Sequence, residues 1–93
     1  MDSLLSKVKS CYLCGRPTTE KHHVFFGTAN RKKSEKWGCW VYLCPEHHRL
    51  GKNAVHLNSR VDKLLKVLTQ EAFEEKHGIE KFMEVFKKNY KED

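Results

Sequence analysis

Apolar positions follow two different periods along the chain, one in each half. From residue 59 onward they recur every three or four residues: Val61, Leu64, Leu65, Leu68, Ala72 and Phe73 form one stripe. Ile79, Phe82, Met83 and Phe86 form a second, with Tyr90 near its end. That is the period of an amphipathic helix, so the pattern predicts a helical hairpin over 59–90, with Gly78 as the stop between its arms. Both stripes are expected to be core. Ser59-x-x-Asp62 has the form of a variant capping box opening the first arm. His77, in that helix's last turn, is expected to act as a charge partner of the helix end.

Before residue 59 the apolar runs are shorter and denser. Thr18 to Phe26 is rich in β-formers and ends in Val24-Phe25-Phe26, which predicts a strand running into Gly27. Cys39 to Leu43 is apolar nearly throughout and predicts a second strand, covered on both sides. Cys39 itself has no partner at metal-ligand spacing and reads as a small buried residue. Between the strands, Gly27 to Gly38 is polar and basic and reads as a connecting loop with room for a helical turn. Pro45 suits the first turn of a further helix that carries His47, His48 and Arg49 and weakens near Gly51, with Glu46 favourable to its positive end. Leu4, Leu5 and Val8 suit a turn or two of helix, and equally a frayed end. The predicted class is α+β.

Ninety-three residues make one domain, 1–93, whose thin core calls for reinforcement by a metal or by disulfides. Met1 to Ser10 lacks the apolar core of a secretory signal, and no run is long enough to span a membrane. The expectation is therefore a cytoplasmic protein in a reducing compartment, where cysteine beside histidine means zinc rather than disulfide. The net charge of +6 is uneven. Residues 1–60 hold eleven Lys and Arg against four acids, and 61–93 hold seven against eight. The basic excess travels with the Cys/His region, which suits a polyanion: DNA, with RNA the less favoured alternative.

Five of the six histidines fall between Glu20 and His56, four of them in the adjacent pairs His22-His23 and His47-His48. Cys11-Tyr12-Leu13-Cys14-Gly15 has the form of a zinc knuckle, and Cys44-Pro45-Glu46-His47 offers a second pair across the same two-residue spacer. Cys11, Cys14, Cys44 and His47 thus compose a structural Zn²⁺ site that closes a long loop and contributes folding energy. The other histidines of this stretch, His22, His23, His48 and His56, offer imidazole, the commonest metal ligand and the usual general base near neutral pH. Neighbours on a strand face opposite ways, so His22 and His23 share one site only if the strand bends or ends there, one holding a metal and the other a proton.

The stretch from Cys11 to about His56 resembles the HNH, or His-Me finger, nucleases. Leu43-Cys44-x-x-His47-His48-Arg49 is a specific form, and small phage-encoded members look similar in Gly27-x-x-Asn30-Arg31-Lys32 and Gly51-Lys52-Asn53-x-x-His56 as well. The resemblance implies a zinc-braced ββα-metal core over 11–56, followed by the helical hairpin. It also implies a catalytic metal on His22 and His48, with His56 the candidate third ligand and His23 the general base. The ion would be Mg²⁺, Mn²⁺, Ni²⁺ or Zn²⁺, histidine ligands favouring the transition metals. Arg31, Lys32, Lys33, Lys36, Arg49 and Lys52 are the expected phosphate contacts. The implied activity is DNA endonuclease, in phage replication or recombination inside a bacterial host. One position departs from the family: its asparagine, which holds the base imidazole, falls on Cys39, leaving that contact to Asn30 or a backbone carbonyl. The alternative is a non-catalytic zinc module that binds nucleic acid or inhibits or recruits a protein partner.

Overall fold

A computed structural model describes residues 2–92. The elements run β1 (Lys21–His23), α1 (Thr28–Trp37), β2 (Trp40–Tyr42), a π-helical turn (Glu46–Leu50), α2 (Ser59–His77) and α3 (Ile79–Phe86). β1 and β2 pair antiparallel, with His22 opposite Val41 and His23 opposite Trp40. Bonds from Val24 N to Cys39 O (3.0 Å) and from Leu43 N to Glu20 O (3.0 Å) lengthen the ladder at both ends. His22, Val24, Val41 and Leu43 are all buried. On the other face the Lys21 ammonium lies 4.1 Å from the Trp40 ring centre.

The strand expected over Thr18 to Phe26 is cut to three residues because local side chains take its backbone bonds. Thr18 Oγ1 accepts from Glu20 N (3.1 Å), and Ser34 Oγ both accepts from Phe25 N (3.2 Å) and donates to Phe25 O (2.7 Å). The expected loop between the strands is instead a ten-residue helix. Residues 28–37 contain neither Gly nor Pro and are rich in helix formers, but α1 buries Ser34 alone, so it leaves no apolar stripe to read. Gly38 ends α1 in the left-handed region at φ 74°, where a Cβ would also collide with the Asp2 carbonyl.

The segment before Cys11 forms no helix. Ser3 is buried, donates to Trp40 O and accepts from Ser6 N (2.9 Å), while Leu4 and Leu5 pack on the core and Val8 stays exposed. The expected helix after Pro45 shrinks to one π turn, which Pro45 precedes as its cap.

Phe25, two residues beyond His23, is the centre of the core. Its ring lies 4.6 Å from Phe86, 4.8 Å from Tyr90 and 5.4 Å from Phe82. Phe73 of α2 meets Phe82 at 5.3 Å. The helical hairpin therefore clamps the end of β1, and Gly78 does separate its arms. Two details differ from the stripe's forecast and a third adds to it. Leu64, Ile79 and Met83 are exposed, so each buried face is narrower than drawn. The cap of α2 is Asn58, whose side chain accepts from Arg60 N (3.0 Å) and Val61 N (3.3 Å), while Asp62 pairs with Lys66 at 2.7 Å. His77 stands among the basic residues of the last turn of α2, and in addition it packs edge-on against Trp37 (5.2 Å) and beside Phe73 (4.9 Å), an aromatic contact that the stripe does not announce. Among the described residues no helix is long and apolar enough to cross a membrane.

Candidate metal centres and cleft

The two predicted pairs of zinc ligands meet. In the knuckle, Gly15 at φ 82° completes a tight turn with Gly15 N donating to Cys11 O (2.8 Å) and Cys11 N to Arg16 O (2.7 Å). Tyr12 N donates to Tyr42 O (2.8 Å), docking the knuckle on β2, from which the chain leads directly to Cys44. His47 returns through the π turn, its amide 3.1 Å from Cys44 O. The donor separations are 3.6 Å for Cys14–Cys44, 3.4 Å for Cys44–His47 Nδ1 and 3.8 Å for Cys11–His47 Nδ1. A tetrahedron with zinc–sulfur bonds of ~2.3 Å and zinc–nitrogen bonds of ~2.0 Å has edges of roughly 3.5–3.8 Å. The cluster fits a structural zinc. Burial pushes the Cys11 thiol up, but amides of Cys44, Cys14 and Leu13 outweigh it and bring its pKa below the ordinary value, favouring the ligating thiolate.

His22, His48 and His56 form a second donor set able to hold a metal ion, with one nitrogen from each within 4.8 Å of the others. β1 supplies His22 and the π turn His48. His56 is carried back by two main-chain bonds, Val55 N to His47 O (2.7 Å) and His56 N to His48 O (3.4 Å). Ring centres are 5.2 Å apart for His22–His48, 5.1 Å for His22–His56 and 4.8 Å for His48–His56.

The donors suit a metal. Burial first, then the neighbouring His48 and His56, push the His22 pKa down to about 3, which keeps its imidazole neutral. Its Nε2 is buried and has no hydrogen-bond partner, an orphan that a cation would satisfy. His48 Nδ1–H donates to Glu20 Oε1 (3.0 Å), so Nε2 is the ring nitrogen left for a metal, while Arg49 Nη2 holds the other Glu20 oxygen at 3.2 Å.

Glu20 is not among the residues expected at the site, although its position two residues before His22 on an extended segment is a readable signal. Replacing Glu20 by alanine is expected to weaken divalent-ion affinity at the three histidines by about 10–100-fold while the four-ligand zinc stays bound. Competition titration with a chromophoric chelator reads both; unchanged affinity would deny Glu20 that role.

His23 ends β1, and its backbone continues into a bend rather than a strand, so both members of the first pair line one open cleft of about 850 Å³. His22, His48 and His56 line it together with Phe26 and with Arg31, Lys32 and Glu35 of α1. His23 Nε2 lies 2.8 Å from Glu35 Oε1, and Lys21 reaches the same carboxylate at 3.2 Å. The hydrogen bond from His23, with that of Lys21, holds the Glu35 carboxyl below its ordinary pKa. Glu35 thus takes the place expected of Asn30 or a carbonyl. It escapes sequence reasoning because α1 does: Thr28, Arg31, Lys32 and Glu35 share one helical face. Cys39, where the resemblance expects an asparagine, is fully buried, with its thiol pushed up to about 12 by burial, and is a core residue.

The expected basic stretch divides. Arg31 and Lys32 face the cleft, whereas Lys33 is half-buried and Lys36 sits 5.8 Å from the Trp37 ring centre. Arg49 is paired with Glu20, and Lys52 is exposed on the turn after His48, outside the cleft lining. Comparison of the chain with protein-family models, curated proteins and solved structures finds no match.

Proposed function

We propose that the chain is a metal-dependent endonuclease of the HNH, or His-Me finger, type that hydrolyses DNA phosphodiester bonds. The observation that carries this reading is one cleft in which a three-histidine donor set with an orphaned nitrogen adjoins a separate histidine–carboxylate pair and the cations Arg31 and Lys32. The helix α1 between the strands is then an insertion into a ββα-metal core whose second metal ligand comes from the π turn.

His22, His48 and His56 would hold the divalent ion. When bound, that ion supplies a Lewis acid that offsets charge on the phosphate and on the leaving oxygen. His23 takes the proton of the attacking water. Because its Nε2–H is donated to Glu35, the acceptor is Nδ1, and the carboxylate fixes the tautomer and stabilises the imidazolium that forms. Arg31 and Lys32 hold the phosphate backbone against the cleft.

The test is incubation of supercoiled, linear, single-stranded and branched DNA with Mn²⁺, Mg²⁺ or Ni²⁺. Cleavage of at least one substrate is expected. A wild type that cleaves none with any ion sinks the nuclease and hands the chain to the zinc-braced binding module. The role of the two cations is tested separately by salt titration of binding. Replacing Arg31 and Lys32 together by alanine should weaken binding to all sequences alike and flatten the log-affinity against log-salt slope by about one for each phosphate no longer neutralised. Lys36→Ala, altered outside the cleft, should leave the slope unchanged. An equal effect of the two variants would return the whole stretch to a diffuse basic surface.

A further inference from the structure

Among the described residues, Phe26 is the one aromatic side chain other than histidine on the cleft, and it is 48 % exposed. A single exposed apolar side chain is ordinary in itself. This one is rigidly mounted. Its neighbour Phe25 is fully buried and bound through both backbone groups to Ser34, so the chain cannot swing Phe26 inward without giving up the centre of the core. Lys66 lies 4.2 Å from its ring centre and is itself held by Asp62 at 2.7 Å. The ring stands 6.3 Å from His22 and 6.2 Å from His56, beside the donor set, with Arg31 and Lys32 lining the same cleft.

A fixed aromatic face beside cations and a phosphate-binding site is what unpaired nucleotides bind: the strand's phosphates meet the charges and a base stacks on the ring. Paired bases cannot use such a face, because their own faces are covered in the duplex stack and extrusion costs a few kcal/mol. We propose that Phe26 is a stacking platform for an unpaired base next to the phosphate at the histidine cluster, which makes single-stranded or frayed DNA the substrate class. The inference rests on the nucleic-acid reading above.

The experiment measures binding and needs no turnover. Zinc-loaded protein carrying His23→Ala, with no further divalent ion added, is titrated into a short labelled single strand and into the same sequence as duplex. Position 26 is Phe, Ala, Leu or Trp. Single-strand affinity is expected to exceed duplex affinity with Phe and with Trp, and to fall about tenfold with either Ala or Leu, while duplex affinity stays constant. Leu keeps apolar bulk, so a loss shared by Ala and Leu and absent with Trp isolates the aromatic face. Zinc content and the thermal transition of each variant confirm that the fold is intact. A ratio of single-strand to duplex affinity that is the same in all four proteins overturns the platform while leaving nucleic-acid binding in place. Binding to neither form by any of them overturns both readings.

Discussion

On the proposed mechanism, His23→Ala is expected to lower the DNA cleavage rate by about two to four orders of magnitude, the usual worth of a positioned general base, while both donor clusters keep their metal affinity. The division of labour follows from where the strand ends. His22 faces the buried side of β1 among His48 and His56, whereas His23 stands on the last residue before the bend and meets Glu35 at 2.8 Å. His22→Ala or His48→Ala should therefore show the opposite profile, with divalent-ion affinity reduced and the four-ligand zinc unchanged. Glu35→Ala should keep both ion affinities and lower the rate by less than His23→Ala does, because the imidazole keeps its place on β1 but loses the partner that sets its tautomer. Metal stoichiometry by native mass spectrometry, beside initial cleavage rates, separates the three patterns. A His23→Ala protein cleaving at the wild-type rate removes the general base from the mechanism, and loss of an ion from that variant would make His23 a ligand instead.

What is legible in the chain depends on whether the signal is local. The four-donor cluster of Cys11, Cys14, Cys44 and His47 is readable because each pair is set by a two-residue spacer that needs no knowledge of the fold. The helical hairpin is readable because a stripe of apolar residues survives whatever it packs against; the stripe's width is overdrawn at Leu64, Ile79 and Met83 because a helix on a small core buries a narrow seam. Asn58 and Ser59 are adjacent residues of equal capping aptitude, and local pattern cannot choose between them. The helix α1 is invisible for a physical reason. It is held to the core through Ser34 and its flanks, with almost no apolar face, so no periodicity records it. Glu35, the partner of His23, is hidden along with it. Glu20 is within reach, since alternation along β1 places it on the same side as His22.

Removing the structural zinc is expected to unfold the first half of the chain. The four donors come from a knuckle before β1 and from the segment after β2, so the ion closes the loop that contains both strands and α1. Two strands of three residues each cannot hold that loop by themselves, since an isolated two-stranded hairpin is marginal in water. The energies point the same way: a structural zinc contributes about 10–16 kcal/mol of apparent binding free energy at neutral pH, as large as the whole stability of an ordinary domain, about 5–15 kcal/mol. Losing the strands also withdraws Phe25 from Phe82, Phe86 and Tyr90, so the helical hairpin loses its lid. α2, with nineteen residues and its own Asn58 cap, should retain partial helix where the strands do not. Treatment with a strong chelator should accordingly abolish the cooperative thermal transition and collapse amide dispersion for residues 11–56, with weaker loss over 59–77. Cys44→Ser should reproduce this without chelator, while His56→Ala, which touches the other donor set, should melt nearly as wild type does. A chelated protein whose thermal transition and amide dispersion match the zinc-loaded form would show that the packed core alone holds the loop closed.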